Sequence, residues 1–530
     1  MLKLILKSES TNKGIISSMS MSLLAKILTF LQSIVVSYYF GTQTSTDILF
    51  YVLALVLQLT TTVICVNQSI FVPLAIKIRN EKSDEESKRF IAYIYLCYLI
   101  LGIAGTVLLF VFSNSFLVAF SKFHAKDIEA NIAIVRFIIP AFLLIISNTY
   151  LLDMFSSYKY FTMPMFLDML KNVLIILVVI VFKNTFSVTS LAIGVLVGNL
   201  TQFIILSFMR IKILKIKIKF KRYKIEKDSK KNILFVLTSN FTTFLYNFAI
   251  MYLISGFSSG IYTSMDYANK ISTIFIAVVT TQISVVIGIS LIEMHSKRDY
   301  EGMNKTFLKY FKLSLFFMIP VCCLLSINSE SVIAILFGRG KFTYESVKIT
   351  STFFRYLILV IPLNLIDNFI VRLIYAKQIQ RVSFYWNISS NILSITVIWI
   401  CMRLMGVYGY PAGYLIANAM YMLTFSFYML KAHFRYIDIK KIYRFLTANF
   451  FVNVTLYVLT FFILEHMGTY RDLLARVTEI AVSSALYCSV YLLSGYFIGF
   501  NRELISEILK FLRTAVFKKP VGALNDNKVL

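Results

Sequence analysis

Long apolar blocks, separated by short polar loops, fill most of this 530-residue chain. A bilayer span needs about 20 apolar residues. Because lipid offers the backbone no hydrogen-bond partners, blocks of this length cross as helices rather than as barrel strands. The pattern predicts an all-α integral membrane protein with about fourteen transmembrane helices, near residues 15–40, 47–76, 90–113, 128–153, 161–182, 187–209, 233–257, 261–293, 310–327, 348–376, 382–405, 407–430, 445–465 and 476–498.

The positive charge of the chain is concentrated in alternate loops. The net charge is +27, and with a cytoplasmic start 37 of the 53 Lys and Arg residues lie on the cytoplasmic side, 6 on the opposite side and 10 within spans. Since loops rich in Lys and Arg stay in the cytoplasm, both termini are predicted to be cytoplasmic, and the first apolar block is predicted to be retained rather than cleaved. The densest run, residues 210–231, holds 11 basic and 2 acidic residues. It matches no nucleic-acid module and is predicted to contact anionic lipid.

A faint internal repeat divides the chain into two halves. Gln68 and Phe71 late in span two are echoed by Gln282 and Val285 late in span eight, at an offset of 214 residues. Because each half has an even number of spans, the halves share one orientation and enclose a central cavity that can open to either side in turn. The predicted division is a six-helix half at 1–209, a basic cytoplasmic linker at 210–232, a second six-helix half at 233–431, two further helices at 432–498 and a cytoplasmic tail at 499–530. This architecture indicates a transporter.

Nothing in the sequence points to catalysis. Six cysteines are scattered in or beside the apolar spans without a CxxC spacing, and the four histidines lie in separate loops. The sequence has no P-loop, serine triad or metal motif. We therefore expect a protein that is not an enzyme and that holds no metal or other cofactor.

Polar residues at membrane depth mark the candidate substrate site, since a charge there costs at least about 2.5 kcal/mol. Lys26 and Gln32 lie in span one, and Arg355 lies in span ten. Lys270 in span eight follows Asp266 by four residues, so the two can simply neutralise each other. A long basic side chain can also extend along its helix to the membrane surface. If these residues face the cavity instead, its basic lining suits an anionic, phosphate-bearing ligand.

Several short motifs share their order and spacing with a known family. They are Ser18-Met19 with Met21, Phe40-Gly41, Thr46-Asp47, Phe71-Val72-Pro73, Tyr267-Ala268-Asn269-Lys270, Leu336-Phe337-Gly338 with Lys341-Phe342-Thr343, and Tyr375-Ala376-Lys377-Gln378 with Arg381. Over roughly residues 15–430, the chain resembles the MurJ-type (MviN) lipid II flippases of the multidrug/oligosaccharidyl-lipid/polysaccharide exporter superfamily.

The resemblance implies a flippase of the bacterial inner membrane. Its cargo would be an undecaprenyl-diphosphate-linked saccharide such as the peptidoglycan precursor lipid II, moved to the outer leaflet by alternating access. Lys26 and Lys270 stand where the family has arginines that are thought to hold the diphosphate, and a groove reaching the last two spans would take the lipid tail. Asp47 stands at the family's acidic position after Phe-Gly, which we place near the outer gate. Membrane lipids are further implied partners, and an ion gradient or the membrane potential is the candidate driving force.

The chain departs from the family pattern at several basic positions. The second span-one Arg is Gln32, and the basic pair of span two is replaced by the stretch 59–62, Leu-Thr-Thr-Thr. Lys in place of Arg keeps the charge but loses the bidentate fork. The cargo could therefore belong to a capsule, exopolysaccharide or O-antigen pathway instead of peptidoglycan. A cation-coupled multidrug exporter and a non-transporting membrane scaffold also stay open.

Overall fold

The computed structural model describes residues 11–217, 223, 227–275, 281–377, 379–467 and 473–497. Every regular element within these residues is a helix, so the predicted all-α fold is confirmed. The predicted basic linker is described only in part, and the predicted tail at 499–530 lies outside the described residues.

Within described residues 11–217, nine helices cover the first six predicted spans and their loops. They are α1 Thr11–Phe40, α2 Thr44–Val66, α3 Val72–Glu81, α4 Asp84–Val111, α5 Ser113–Phe120, α6 Ala125–Ala130, α7 Ile132–Ser157, α8 Thr162–Phe186 and α9 Thr189–Lys212. A π-helical turn, Asn67–Phe71, joins α2 to α3. Predicted span two therefore continues through α2, the π turn and part of α3.

The later helices cover predicted spans seven to fourteen. They are α10 Lys227–Ile254, α11 Ile261–Phe275, α12 Thr281–Ser296, α13 Tyr300–Ile327, α14 Ser329–Phe337, α15 Tyr344–Lys377, α16 Gln380–Met405, α17 Gly409–Tyr421, α18 Phe427–His433, α19 Ile439–Met467 and α20 Leu473–Phe497. A 3-10 turn, Gly406–Tyr408, precedes α17, and a second π turn, Met422–Ser426, follows it.

The described residues contain 11 helical stretches that are long and apolar enough to cross a membrane. One of them, Phe384–His433, is 50 residues long and contains two predicted spans. Predicted span seven lies on α10, and span eight lies on α11 and α12, on either side of residues 276–280. Each predicted span is thus helical over most of its described residues; the exceptions, residues 112, 131, 161, 187–188 and 255–257, lie near span ends.

Small and amide side chains let helices α7, α8 and α9 pack closely. A Cβ atom added at Gly198 of α9 would lie 3.1 Å from the Cγ atom of Lys171 on α8. The side-chain Nδ2 of Asn148 on α7 donates to the backbone oxygen of Asn199 at 2.9 Å. Membrane helices associate through such close backbone approach and interhelical hydrogen bonds, because lipid removes the hydrophobic drive between them.

The junction between α3, α4 and the end of α7 is ionic. Arg79 of α3 lies 3.6 Å from Asp84, which also pairs with Lys88 at 2.6 Å. The Arg79 guanidinium stacks over the Tyr158 ring at 3.5 Å from its centroid. With the predicted topology, this junction faces the cytoplasm.

By internal contacts, the described residues form two compact units. The first contains the described residues up to 275 together with Val332–Leu357 and Gln380–Ala417, and the second contains residues 281–331, 358–379 and 418–497. The division into two six-helix halves and two further helices remains a prediction from the sequence.

In the second unit, a row of polar contacts fixes α20. The side chains involved repeat every four residues along α20, so they lie on one helix face. The pairs are Glu479 with Ser331 at 2.8 Å, Ser483 with Asn328 at 3.1 Å, Tyr487 with Asn453 at 2.8 Å and Tyr491 with Asn449 at 2.6 Å. Glu479, an isolated carboxylate in the sequence of span fourteen, thus has a hydroxyl partner.

Candidate functional site

Asp47 caps a helix that begins more than 200 residues later. The Asp47 side chain, only 2% exposed, accepts the Gly260 N–H on Oδ2 at 2.6 Å. Its Oδ1 accepts the Thr263 N–H at 2.7 Å and the Thr263 hydroxyl at 2.6 Å. The first N–H groups of a helix have no partner within it, so a carboxylate at the start of α11 satisfies them. We call Asp47, Gly260 and Thr263 the Asp47 latch.

Hydroxyl contacts extend the latch on both sides. The Thr44 hydroxyl donates to the Ser259 hydroxyl at 2.8 Å. The Thr42 and Ser346 hydroxyl oxygens lie 2.6 Å apart. Residues 38–47, 258–263 and 339–346 therefore meet in one contact region, which we call the loop seal. The predicted topology places the loop seal on the side opposite the cytoplasm.

Two glycines allow two backbone segments of the loop seal to come into contact. Gly41 has φ +60° and Gly340 has φ +66°, a conformation that glycine adopts without steric cost. A Cβ atom at Gly41 would collide with the Lys341 carbonyl oxygen, and one at Gly340 with the Tyr38 carbonyl oxygen. Between them, the Lys341 N–H donates to the Tyr38 oxygen at 2.9 Å. This part of the seal is formed by backbone atoms.

Lys270 lies on α11 with its charge already compensated. Its Nζ is 2.6 Å from Asp266 Oδ2 and 4.0 Å from the centroid of the Phe50 ring on α2. The adjacent Tyr267 is fully buried, and its ring contacts those of Phe50 and Phe337 at centroid distances of 5.6 and 5.1 Å. Lys270 is 30% exposed, so it can still reach a ligand if the pair with Asp266 separates.

Lys26 and Gln32 lie half-buried on α1. This helix packs against α8, where the Asn172 Nδ2 donates to the Thr29 hydroxyl at 3.0 Å, and it also contacts α11. In the part of the chain that the structure describes, no ion pair reaches Lys26. Its ammonium group is available to an anion.

The structure brings only some of the predicted site residues together. Asp47 lies on α2 and Lys270 lies on α11, and these two helices contact each other. Lys26 and Gln32 lie on α1, which contacts α11. Arg355 is half-buried on α15. The sequence alone did not identify the partners of Asp47, because they are backbone groups and a threonine 213 to 216 residues away.

A second polar cluster was missed by sequence analysis. The carboxylate of Asp153 accepts Nδ2 of Asn67 at 3.0 Å and Nε2 of Gln68 at 3.4 Å. The Tyr98 hydroxyl donates to the Asn67 Oδ1 at 2.9 Å. Asn67 and Gln68 begin the π turn, a type of distortion frequent at functional sites. The available signal was an acidic residue at the end of predicted span four.

No group of three or more His, Cys, Asp or Glu side chains within the described ranges is placed to hold a metal ion. The candidate residues Lys26, Lys270 and Arg355 are cations, and the loop seal adds hydroxyls, backbone N–H groups and the Asp47 carboxylate. Such groups bind anions and form interhelical contacts.

Solved structures with this fold are membrane transporters. "Lipid II flippase MurJ, inward closed conformation" is 19% identical, with a TM-score of 0.74 over 93% of this chain and 100% of that chain. An inward-facing multidrug resistance MATE family transporter of the MOP superfamily is 13% identical, with a TM-score of 0.65 over 78% of this chain and 96% of that one. This chain therefore shares the multi-pass helical fold of these two structures.

Sequence comparison narrows the class to a family. The model of the family "Lipid II flippase MurJ" matches residues 36–477. A "Probable lipid II flippase MurJ" of Buchnera aphidicola subsp. Schizaphis graminum (strain Sg) is 26% identical over 355 residues, which cover 64% of this chain and 67% of that protein. The protein of the same name from Buchnera aphidicola subsp. Acyrthosiphon pisum (strain APS) is 24% identical over 357 residues, 64% of this chain and 68% of that protein. The chain belongs to the MurJ lipid II flippase family, as the motifs predicted.

Proposed function

We propose that this protein moves an undecaprenyl-diphosphate-linked glycan precursor, lipid II in the first place, across the bacterial cytoplasmic membrane. The observation that carries the proposal is the family match over residues 36–477, which includes Asp47, Lys270 and Arg355, while Lys26 and Gln32 precede it. Translocation makes and breaks no covalent bond, so no catalytic residue is required. The distribution of Lys and Arg supports cytoplasmic termini.

Lys26 and Lys270 hold the diphosphate in this proposal. Lys26 is half-buried, and Lys270 is paired with Asp266 at 2.6 Å. A diphosphate carries more negative charge than one carboxylate, so it can displace Asp266 from Lys270. Binding would then alter the surroundings of α11, the same helix that Asp47 caps. Substrate binding and the loop seal are linked through this helix.

Alternating access requires the loop seal to open. The Asp47 latch and the hydroxyl contacts join predicted span two to predicted span eight, so they hold the two predicted halves together on the outer side. Opening exposes the Asp47 carboxylate and the N–H groups at the start of α11 to water, which satisfies them in turn. Because a ligand shifts such an equilibrium only through its different affinities for the two states, the cargo must bind one state more tightly. An ion gradient or the membrane potential can supply a further bias.

Complementation tests the cargo. We would express the chain in a bacterium depleted of its own lipid II flippase, measure lipid II, and confirm membrane insertion by labelling of an outer loop. The host's own flippase is the positive control, and the Lys26→Gln variant is the matched negative control. Rescue without accumulation of lipid II is expected; accumulation despite full insertion would contradict lipid II as the cargo.

Two observations favour a second cargo class. By the family resemblance, Gln32 stands where an arginine is expected, and Lys270 is compensated by Asp266. Both reduce the positive charge available to a diphosphate. The alternative cargo is therefore a repeat unit of a capsule, exopolysaccharide or O-antigen, which the protein would hold through its sugars. Restored surface polysaccharide in a strain lacking that flippase would support it. A cation-coupled multidrug exporter would instead produce gradient-dependent dye efflux.

A further inference from the structure

An apolar groove runs along α10 in the first compact unit. It consists of two adjoining cavities of about 390 and 470 Å³ that share Leu59, Phe241 and Phe244. Side chains of α2, α4, α5 and α7 complete the walls, and the lining is almost wholly apolar. Hydrocarbon surrounds these helices in a membrane, and an apolar trough of this kind is unfavourable for water. The groove is therefore suited to a lipid chain.

A row of aromatic rings forms one wall of the groove. Phe241, Phe244 and Phe248 line the cavities, and Tyr252 continues the row one helical turn further; successive centroids lie 6.2 to 6.3 Å apart. Phe120 contacts Phe248 at a centroid distance of 5.8 Å and lines the groove at that end. Residues three or four apart lie on one helix face, so the rings follow α10 as a single track.

A basic residue stands at the end of this track. The Lys122 Nζ lies 5.1 Å from the centroid of the Tyr252 ring. The Lys122 N–H donates to the Ser255 hydroxyl at 2.9 Å, which fixes its backbone beside the end of α10. Lys122 is one of the 6 basic residues that the sequence places opposite the cytoplasm. The row of rings thus leads from the groove toward a cation at the predicted outer surface.

We propose that this groove binds the polyprenyl tail of a phosphate-bearing lipid, with the phosphate at Lys122. The proposal rests on the proposed function, which supplies a lipid with one long tail and an anionic head. A phospholipid carries two chains and would leave one outside the single track. The site differs from the groove that the family resemblance implies, because α19 and α20 contribute none of the groove residues described above. Its place at the outer surface suits the lipid after translocation.

Photo-crosslinking tests this proposal. The purified full chain, in nanodiscs, is exposed to undecaprenyl phosphate that carries a diazirine on its tail, and labelled residues are mapped by mass spectrometry. We expect labels between Phe241 and Tyr252. Loss of the phosphate contact in Lys122→Gln should reduce labelling about fivefold. The matched control is Lys126→Gln, an exposed lysine of the same loop, which should label normally.

A second pair of variants tests whether the polyprenyl tail lies in the apolar groove. Leu59→Trp fills the junction of the two cavities and should suppress labelling, whereas Val181→Trp places the same ring at a 65% exposed position on α8 and should not. Wild-type labels confined to α19 and α20 would overturn the groove and leave the flippase function standing. Specific labelling is labelling that excess unlabelled undecaprenyl phosphate reduces. If no residue of the chain shows specific labelling, the proposed function itself is contradicted. Equal competition by dioleoyl phosphatidylglycerol would overturn the polyprenyl assignment.

Discussion

The carboxylate of Asp47 is held by three donors, none of which is a basic side chain. In Asp47→Asn, the amide keeps the shape but turns an NH₂ group toward a backbone N–H, which leaves buried donors unpaired. We expect a loss of about 1–3 kcal/mol in the free energy of unfolding. Thermal unfolding of the purified protein measures it. Thr263→Val removes only the hydroxyl donor and is the control; a cost in Asp47→Asn no larger than in Thr263→Val would contradict the capping role.

Substitution of Gly340 and of Gly406 distinguishes the conformational cost of a positive φ from the cost of a steric clash. Both have positive φ, +66° and +62°, but a Cβ atom at Gly340 meets the Tyr38 carbonyl while one at Gly406 meets nothing within 4 Å. Gly406→Ala should cost about 1 kcal/mol from its backbone conformation alone. Gly340→Ala should cost clearly more and reduce transport, because Tyr38 and Lys341 must separate. Comparable melting temperatures for the two variants would argue against the close backbone contact.

Substitution of Lys26 tests the proposed diphosphate site, because no ion pair reaches this lysine among the described residues. Lys26→Gln should lower the flipping rate at least tenfold, since a charge-assisted contact to phosphate contributes about 1.5–3 kcal/mol. Lys26→Arg restores the charge and adds a bidentate fork, so it should retain transport. The readout is the appearance of a labelled lipid-linked saccharide in the outer leaflet of vesicles with matched protein content. Full transport by Lys26→Gln would remove Lys26 from the site.

At the scale of elements, apolar block length predicted nearly everything about the helices and little about their interruptions. The predicted spans coincide with helices because hydrogen-bond satisfaction in lipid leaves few alternatives. The π turn at Asn67–Phe71 was not predicted, since five residues in a continuous apolar block carry no local signal for it. Its side-chain contact with Asp153 stabilises the turn only in the folded protein, so tertiary structure decides it.

The hydrogen bonds between α19 and α20 give a prediction for the stability of the protein. Tyr487→Phe combined with Tyr491→Phe removes two hydroxyls that donate to Asn453 and Asn449. At about 0.6 kcal/mol for each interhelical bond in a membrane, the double variant should lose about 1 kcal/mol. Tyr443→Phe alters an exposed tyrosine that stacks on Phe427 and should change little. Denaturation in mild detergent compares them, and equal stabilities would show that the bonds do not hold α20.

At the scale of the whole molecule, the sequence predicted the class of protein. The role of the charged candidate residues stays a prediction, and the sequence did not identify the distant partners of Asp47. Lys270 and Asp266 are four residues apart, so their pairing was visible as an alternative. Asp47 and Thr263 are 216 residues apart, and only the fold brings them together. No rule of spacing connects an acidic side chain with the N-terminus of a distant helix.

A reversible crosslink across the loop seal tests alternating access. Thr44 and Ser259 hydroxyls lie 2.8 Å apart, and a disulfide brings two sulfur atoms to about 2.0 Å. In the Thr44→Cys, Ser259→Cys double variant, oxidation should stop transport by holding the seal closed, and reduction should restore it. Each single variant, treated in the same way, controls for oxidation elsewhere. Undiminished transport with the disulfide formed would rule out opening at this seal.

The loop seal consists of hydroxyls, backbone groups and one buried carboxylate, whereas the junction of α3 and α4 consists of partly exposed ion pairs. Dissolved salt screens exposed charges over about 10 Å at 0.1 M but has little effect on buried or neutral contacts. Raising the ionic strength therefore loosens the predicted cytoplasmic face and leaves the predicted outer face closed. Salt concentration becomes a means of shifting one face of the transporter without touching the other.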